Sequence, residues 1–288
     1  MTHRRIAAAT VALLLLAVAA GRAQTWSSGT ATRQIRGEHE LTVDVEFAAG
    51  TFRVHPGPAA ELYRSSIRYD ADRYRSNTAF DQGTSTLSIR LTGQKDHSDT
   101  AVDVRNGQWL DLALSPAVPT DLDLQFGAAE ADLALGGLAI RSAKIQTGAS
   151  KSVVSFDTPN RVACSRLEVG VGAAEFRMDG LGNAGCAHIE VAGGVGGVEL
   201  DFSGAWAASG VTTGKITIGL GTLDLRFPEG LGVSIYVDRF LASFEDSGFE
   251  KRGSRYVSAG YDAAATRLDL DLKAVFGDVN VEWIPAGR

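Results

Sequence analysis

Beyond its first twenty or so residues the sequence has no apolar run long enough to cross a bilayer, which takes about 20 consecutive residues. It has no basic run, and its 28 basic residues are outnumbered by 34 acidic ones. That balance argues against nucleic acid or an anionic lipid surface as a partner. No long segment of the mature chain shows helical periodicity. Histidines 39, 55, 97 and 188 are scattered, and none stands at metal-ligand spacing from another histidine or a cysteine. Proline is scarce at 7 residues while glycine is abundant at 33, which favours many turns between short strands over a disordered tail.

The one long apolar run is at the start. His3, Arg4 and Arg5 precede the stretch from Ile6 to Ala20, and Gly21-Arg22-Ala23 supplies small residues where a signal peptidase reads. Residues 1–23 are therefore expected to be a cleaved signal peptide, with an uncleaved anchor helix as the alternative. No cysteine follows the run, so the bacterial lipoprotein pattern is missing. Cleavage removes Arg4, Arg5 and Arg22 and leaves 25 basic against 34 acidic residues, a net charge of −9. The expected location is outside the cytoplasm, in the periplasm or at the cell surface, with no transmembrane segment once the signal is gone.

From Leu122 the chain repeats itself. Anchored on Gly127, Gly148, Gly172, Gly196 and Gly221, the units are 21, 24, 24 and 25 residues long. Such a period indicates stacked β units that bury their apolar faces against their neighbours. Four and six residues after the anchors lie Ala131 and Leu133, Ser152 and Val154, Phe176 and Met178, Leu200 and Phe202, and Leu225 and Phe227, an inward column. The residues between them are mostly charged and face water, the alternation of strands. In the outward columns Lys151 falls between Glu130 and Glu175, Asp201 between Arg177 and Arg226, and Asp123, Lys144 and Glu168 alternate. Glu175, Glu199 and Asp224 form an acidic run, read as a solvated face. A last unit runs from Leu268 through Gly277 to Trp283.

Cys164 and Cys186 each stand three residues before an equivalent apolar position, Leu167 and Ile189, so they are expected to form a disulfide between neighbouring units. Two free buried thiols are the alternative. Before Leu122 the rhythm is shorter, with strand-like alternation at 41–45, 51–54, 66–69 and 87–91 and a polar loop over 95–107. The expected fold class is all-β: a small N-terminal β domain over 24–115, then a stacked β-strand repeat domain over 116–288. Even spacing favours winding as a β-helix over an antiparallel meander.

Several motifs invite a chemical reading and fail it. The corners Gly170-Val171-Gly172, Gly194-Val195-Gly196 and Gly219-Leu220-Gly221 lack the third glycine and the helix of a dinucleotide site. Gly210 to Lys215 faintly resembles a phosphate loop, but Ser209 replaces its first glycine and Ile216 its hydroxyl residue. Glu38-His39-Glu40, read as a strand, points its histidine away from its acids. Asp96-His97-Ser98-Asp99 has no third ligand and reads as an exposed loop. No catalytic set, cofactor site or metal site is identified. The segment 231–265 interrupts the repeats and carries Tyr236, Phe240, Phe244, Phe249, Tyr256 and Tyr261. These rings are expected to cap the stack; the alternative is a partner surface with aromatic anchors.

Glu61-Leu62-Tyr63-Arg64 and Ile67-Arg68-Tyr69-Asp70 resemble the N-terminal domain that precedes toast-rack domains in bacterial envelope proteins. The repeats from Leu122, with Gly248-Phe249, Tyr256, Tyr261 and the closing Val275 to Val281, are similar to the toast-rack domain itself, as in LiaF-type and adhesin-like proteins. The resemblance implies a β-stack in the envelope and supplies no active-site residues. The leading expectation is a non-catalytic exported module that binds an envelope protein or a cell-wall component, with a link to the envelope stress response. An adhesin-like surface protein is the first alternative. A polysaccharide-active β-helix enzyme is the second, which would need a groove holding two carboxylates and aromatic platforms.

Overall fold

In a computed structural model the described residues are 25–94, 107–206 and 210–286. The expected signal peptide, the Asp96–Asp99 cluster, most of the expected polar loop and Ser209 lie outside them. Sixteen strands account for most of the described chain. They are β1 (Trp26–Gln34), β2 (Leu41–Pro56), β3 (Glu61–Asp70), β4 (Tyr74–Asp81), β5 (Thr86–Gly93), β6 (Trp109–Leu114), β7 (Thr120–Ala134) and β8 (Ile140–Thr147). There follow β9 (Ser150–Ser155), β10 (Cys164–Asp179), β11 (Cys186–Asp201), β12 (Gly210–Pro228), β13 (Gly232–Phe244), β14 (Phe249–Arg252), β15 (Arg255–Ser258) and β16 (Thr266–Ile284). One helical turn, α1 (Leu181–Ala184), joins β10 to β11. The fold is all-β, as the alternation predicts.

The central strands pair in parallel, in the order β2, β7, β8 with β9, β10, β11, β12, β16 and β13. Parallel neighbours require the chain to return to the same side between strands, so the stack winds and is not a meander. The last strand, β16, slots between β12 and β13. The winding begins inside the N-terminal third, because β2 pairs with β7 from Leu41 to Val54. Beyond β2, β5 pairs in parallel with its first limb and β6 with its second, and antiparallel strands follow, β4 on β5 and β3 then β1 on β6.

The long strands β2, β7, β10, β11, β12 and β16 are bent into two limbs at a glycine corner, where β13 carries Leu241 and Ala242 instead. The inward side chains of the limbs face each other, as Phe52 shows by packing on Phe47 and Phe126 with ring centroids 5.6 Å away in both cases. Leu122, Leu124 and Leu133, Leu167, Phe176 and Met178, and Leu225 and Phe227 fill this one continuous core. At the corner a φ of +129° at Gly196, +143° at Gly221 and +120° at Gly277 switches which alternate residues point inward. It also brings rungs very close. A Cβ on Gly221 would lie 1.8 Å from the Gly196 carbonyl oxygen.

The glycines align differently from the sequence expectation. Met178 pairs with Leu200 and Phe176 with Val198, so Gly172 is level with Gly194 and not with Gly196. A second corner glycine in the later units caused the two-residue slip. Strand side chains alternate with a period of two, so the slip left every inward residue inward and changed only the neighbours. Arg177 consequently faces Glu199, and Arg226 joins Glu199 and Asp201 at 3.6 and 3.5 Å. The acidic run is broken, since Glu175 faces Gly197 and pairs with Lys151 at 3.4 Å. The column from Asp123 through Lys144 to Glu168 is in register as expected.

Candidate interaction surface

The corner that folds the strands also sets one residue per unit in a single row, which faces outward in the later units. Along it Ala173 pairs with Val195, Val195 with Leu220, Leu220 with Phe276 and Phe276 with Leu241. The early units place alanines here, a buried Ala49 opposite a half-buried Ala128. The later ones place large apolar side chains, and Val195, Leu220, Phe276 and Leu241 are 52%, 51%, 42% and 62% exposed. Phe240 stands beside them at 73%. Adjacent strands are about 4.8 Å apart, so the five side chains make one apolar ridge. Single exposed apolar residues need no explanation, but a contiguous group marks an interaction site. Alanine would satisfy the corner equally well, as the early units demonstrate, so the large side chains are not there to build it.

The aromatic segment divides into two groups. Phe249 packs on Phe227, Phe244 and Trp283, and Phe244 packs on Tyr256 with ring centroids 4.9 Å apart. These rings close the end of the core. Tyr236 and Phe240 instead point to solvent, on β13. That strand is regular and lies within the segment expected to be irregular. Val233, Ile235 and Val237 alternate inward as in any other unit, and the strand pairs with β16 from Gly232 to Phe244.

Tyr261 belongs to neither group. It lines a polar groove of about 610 Å³ between the outer face of β11, β12 and β16 and the β14–β15 hairpin. Its hydroxyl donates to Asp269 at 2.5 Å, and burial, then that hydrogen bond, pushes the phenol above its usual pKa. Arg252 pairs with Asp262 at 2.7 Å and Arg255 with Asp271 at 3.1 Å. The groove does hold carboxylates, as a polysaccharide-cleaving site would need. All three, however, are taken by side chains of their own chain.

Cys164 and Cys186 form a disulfide across the first rung of β10 and β11. Among the described residues no group of three or more His, Cys, Asp or Glu is placed to hold a metal ion. The Glu38-His39-Glu40 stretch is not a strand. Glu38 accepts from Arg33 at 2.9 Å and from the Arg36 backbone N–H, and Glu40 pairs with Arg141 at 2.7 Å. His55 pairs with Asp111 and His188 with Thr213. No helix among the described residues is long and apolar enough to cross a membrane.

The ridge is absent from the sequence reading, which weighs the Gly-x-Gly corners only as a dinucleotide motif. The signal was the corner residue, between two glycines at Val195 and Leu220 and before a single one at Phe276, which grows from Ala173 to Val195, Leu220 and Phe276 once the units are set in their true register.

A family model described as the N-terminal domain of toast_rack matches residues 22–177. No curated protein matches the chain. A candidate cell adhesion protein of Clostridium sporogenes is similar in structure, with a TM-score of 0.47 and 14% identity over 90% of this chain and 100% of that one. A candidate adhesin of Bacteroides fragilis has a TM-score of 0.40 and 9% identity over 90% and 98%. One of Parabacteroides distasonis has 0.36 and 11% over 91% and 98%.

Proposed function

The chain belongs to the toast_rack N-terminal domain family, and from that premise we propose that it is a non-catalytic, exported envelope module that binds a protein or cell-wall partner through the corner ridge. The exposed apolar row Val195–Leu220–Phe276–Leu241 carries this reading. Covering it removes roughly half the surface of each large apolar side chain from water, and full burial of one such side chain is worth about 1.5–3 kcal/mol. The Cys164–Cys186 bond supports export, since disulfides persist in oxidising compartments. Tyr236 and Phe240 extend the surface. Phe244, Phe249 and Tyr256 serve it indirectly by closing the core end, and Tyr261 by pinning the groove.

The test immobilises the oxidised protein and challenges it with solubilised envelope and with purified cell-wall sacculi. Wild type should retain a defined component that the Leu220→Glu/Phe276→Glu variant, folded to the same extent, does not retain. Equal retention by both proteins, or none by either, would sink the ridge as the binding surface.

A further inference from the structure

The geometry points to a second copy of this chain as the occupant of the open edge of β13, joined by antiparallel strand pairing about Ala242. Across most of the winding, long strands have neighbours on both sides. β13 has β16 on one side along its whole length, but on the other β15 covers only Ser234, Ile235 and Tyr236. From Val237 to Phe244 no strand of the described residues lies against that side.

Open edges present unpaired N–H and C=O groups and invite strand addition. The backbone shows which groups these are. The Glu245 N–H donates to the Val279 carbonyl at 2.9 Å, facing β16. Strand alternation then turns Ser243 toward β16 and Phe244 and Ala242 outward. The Ala242 carbonyl accepts a long 3.5 Å bond from the Arg239 side chain, which is what an outward carbonyl does when nothing better is present.

Charge identifies the occupant. Natural edges protect themselves with charges, and this one carries a cation and an anion left over from the surface pairs. Among the described residues Arg239 has no carboxylate partner and Glu245 no cationic one, although 22 ion pairs form elsewhere. Arg239 and Glu245 are three positions either side of Ala242. A two-fold axis at Ala242 therefore sets Arg239 of each copy opposite Glu245 of the other, giving two ion pairs; Asp238 and Asp246 fall opposite each other one position further out, where the chain turns out of the strand. A foreign peptide would have to supply both charges at that spacing; a second copy already has them. The pairing also brings Phe240 and Leu241 of the two copies beside the seam and sets the two ridges nearly end to end, still open to a partner. It offers on the order of 500 Å² per copy, at the low end of specific interfaces, so the dimer should exchange with monomer at micromolar concentration.

Sedimentation velocity on the oxidised protein over a concentration series tests this. Wild type should shift from monomer to dimer. Ala242→Pro, which removes an outward N–H, should weaken the dimer at least tenfold, as should Arg239→Glu and Glu245→Arg singly. The Arg239→Glu/Glu245→Arg double variant should restore it, and the charge variants carry the test if the proline variant misfolds. A wild type that stays monomeric to several hundred micromolar overturns the inference. So does a dimer indifferent to all the single changes, or a double variant no better than the singles. Partner retention by the ridge is measured separately, so the two readings fail independently.

Discussion

Phe240 and Phe276 meet edge to face, ring centroids 6.2 Å apart with planes at 89°, yet both rings remain in contact with solvent. Edge-to-face pairs add about 0.5–1.5 kcal/mol beyond area burial, so the two rings hold each other in position without a core around them. A surface feature that is both apolar and ordered presents less conformational entropy to a partner than loose side chains would.

The ridge can accordingly be removed without unfolding the protein. Leu220→Ser and Val195→Ser should change stability by no more than about 0.5 kcal/mol, the usual range for exposed positions. Both should lower the binding of a hydrophobic dye to the folded protein. Urea denaturation and dye fluorescence on the same samples check this; a loss of several kcal/mol would make the row part of the core.

The corner itself should not tolerate change. At Gly221 a Cβ would lie 1.8 Å from the Gly196 carbonyl oxygen, and its φ of +143° disfavours any L side chain. Gly221→Ala should cost about 2–4 kcal/mol, combining backbone strain with a forced separation of rungs. Gly197→Ala, where nothing lies within 4 Å, is the matched control and should be near neutral. Equal denaturation midpoints for the two variants would contradict the corner geometry.

These glycines also mark where sequence reasoning stops. Alternation alone identified the inward columns, because a two-residue slip does not change which face a side chain occupies. It could not fix the register where a unit has two corner glycines, as at Gly194 and Gly196, since both choices preserve the pattern. Arg177 was therefore matched to Asp201 when it lies opposite Glu199. The disulfide was legible because Cys164 and Cys186 were placed by Leu167 and Ile189, upstream of the ambiguous corner. The open β13 edge was not, because it depends on β16 returning to sit between β12 and β13. Nothing local encodes that insertion.

The disulfide closes a segment with a sequence separation of 22. Chain-entropy reasoning gives about 3 kcal/mol for a loop of that size. Reduction, or a Cys164→Ala/Cys186→Ala double variant, should lower the urea midpoint accordingly while the strand signal in circular dichroism persists below it. Identical midpoints with and without reductant would show that the bond does not stabilise the stack.

Tyr261 gives the groove a pH signature. Its phenol is raised above the ordinary value, first by burial and then by the hydrogen bond to Asp269. The folded state thus holds this proton more tightly than the unfolded chain does. The contribution is complete below the unfolded pKa of about 10 and is lost as pH rises through the folded value. Ultraviolet titration of wild type against Tyr261→Phe isolates this phenol, and Asp269→Asn should move it back toward the ordinary value. An unmoved transition in Asp269→Asn would remove Asp269 as a cause.

Phe249 and Phe240 separate the two roles of the aromatic segment most directly. Phe249 contacts Phe227, Phe244 and Trp283 at the end of the core, so truncating it removes one ring contact from each of the three. Phe249→Ala should cost about 2–4 kcal/mol, somewhat below a fully buried phenylalanine because its ring is half-buried. Phe240→Ala removes a ring that is 73% exposed and touches Phe276 alone among the aromatic rings, so its cost should stay below about 1 kcal/mol. Partner retention should follow the opposite order, falling for Phe240→Ala and persisting for Phe249→Ala at temperatures where that variant is folded. Parallel losses of stability and retention in both variants would mean that cap and surface are one structure, and that the ridge binds only through the integrity of the stack end.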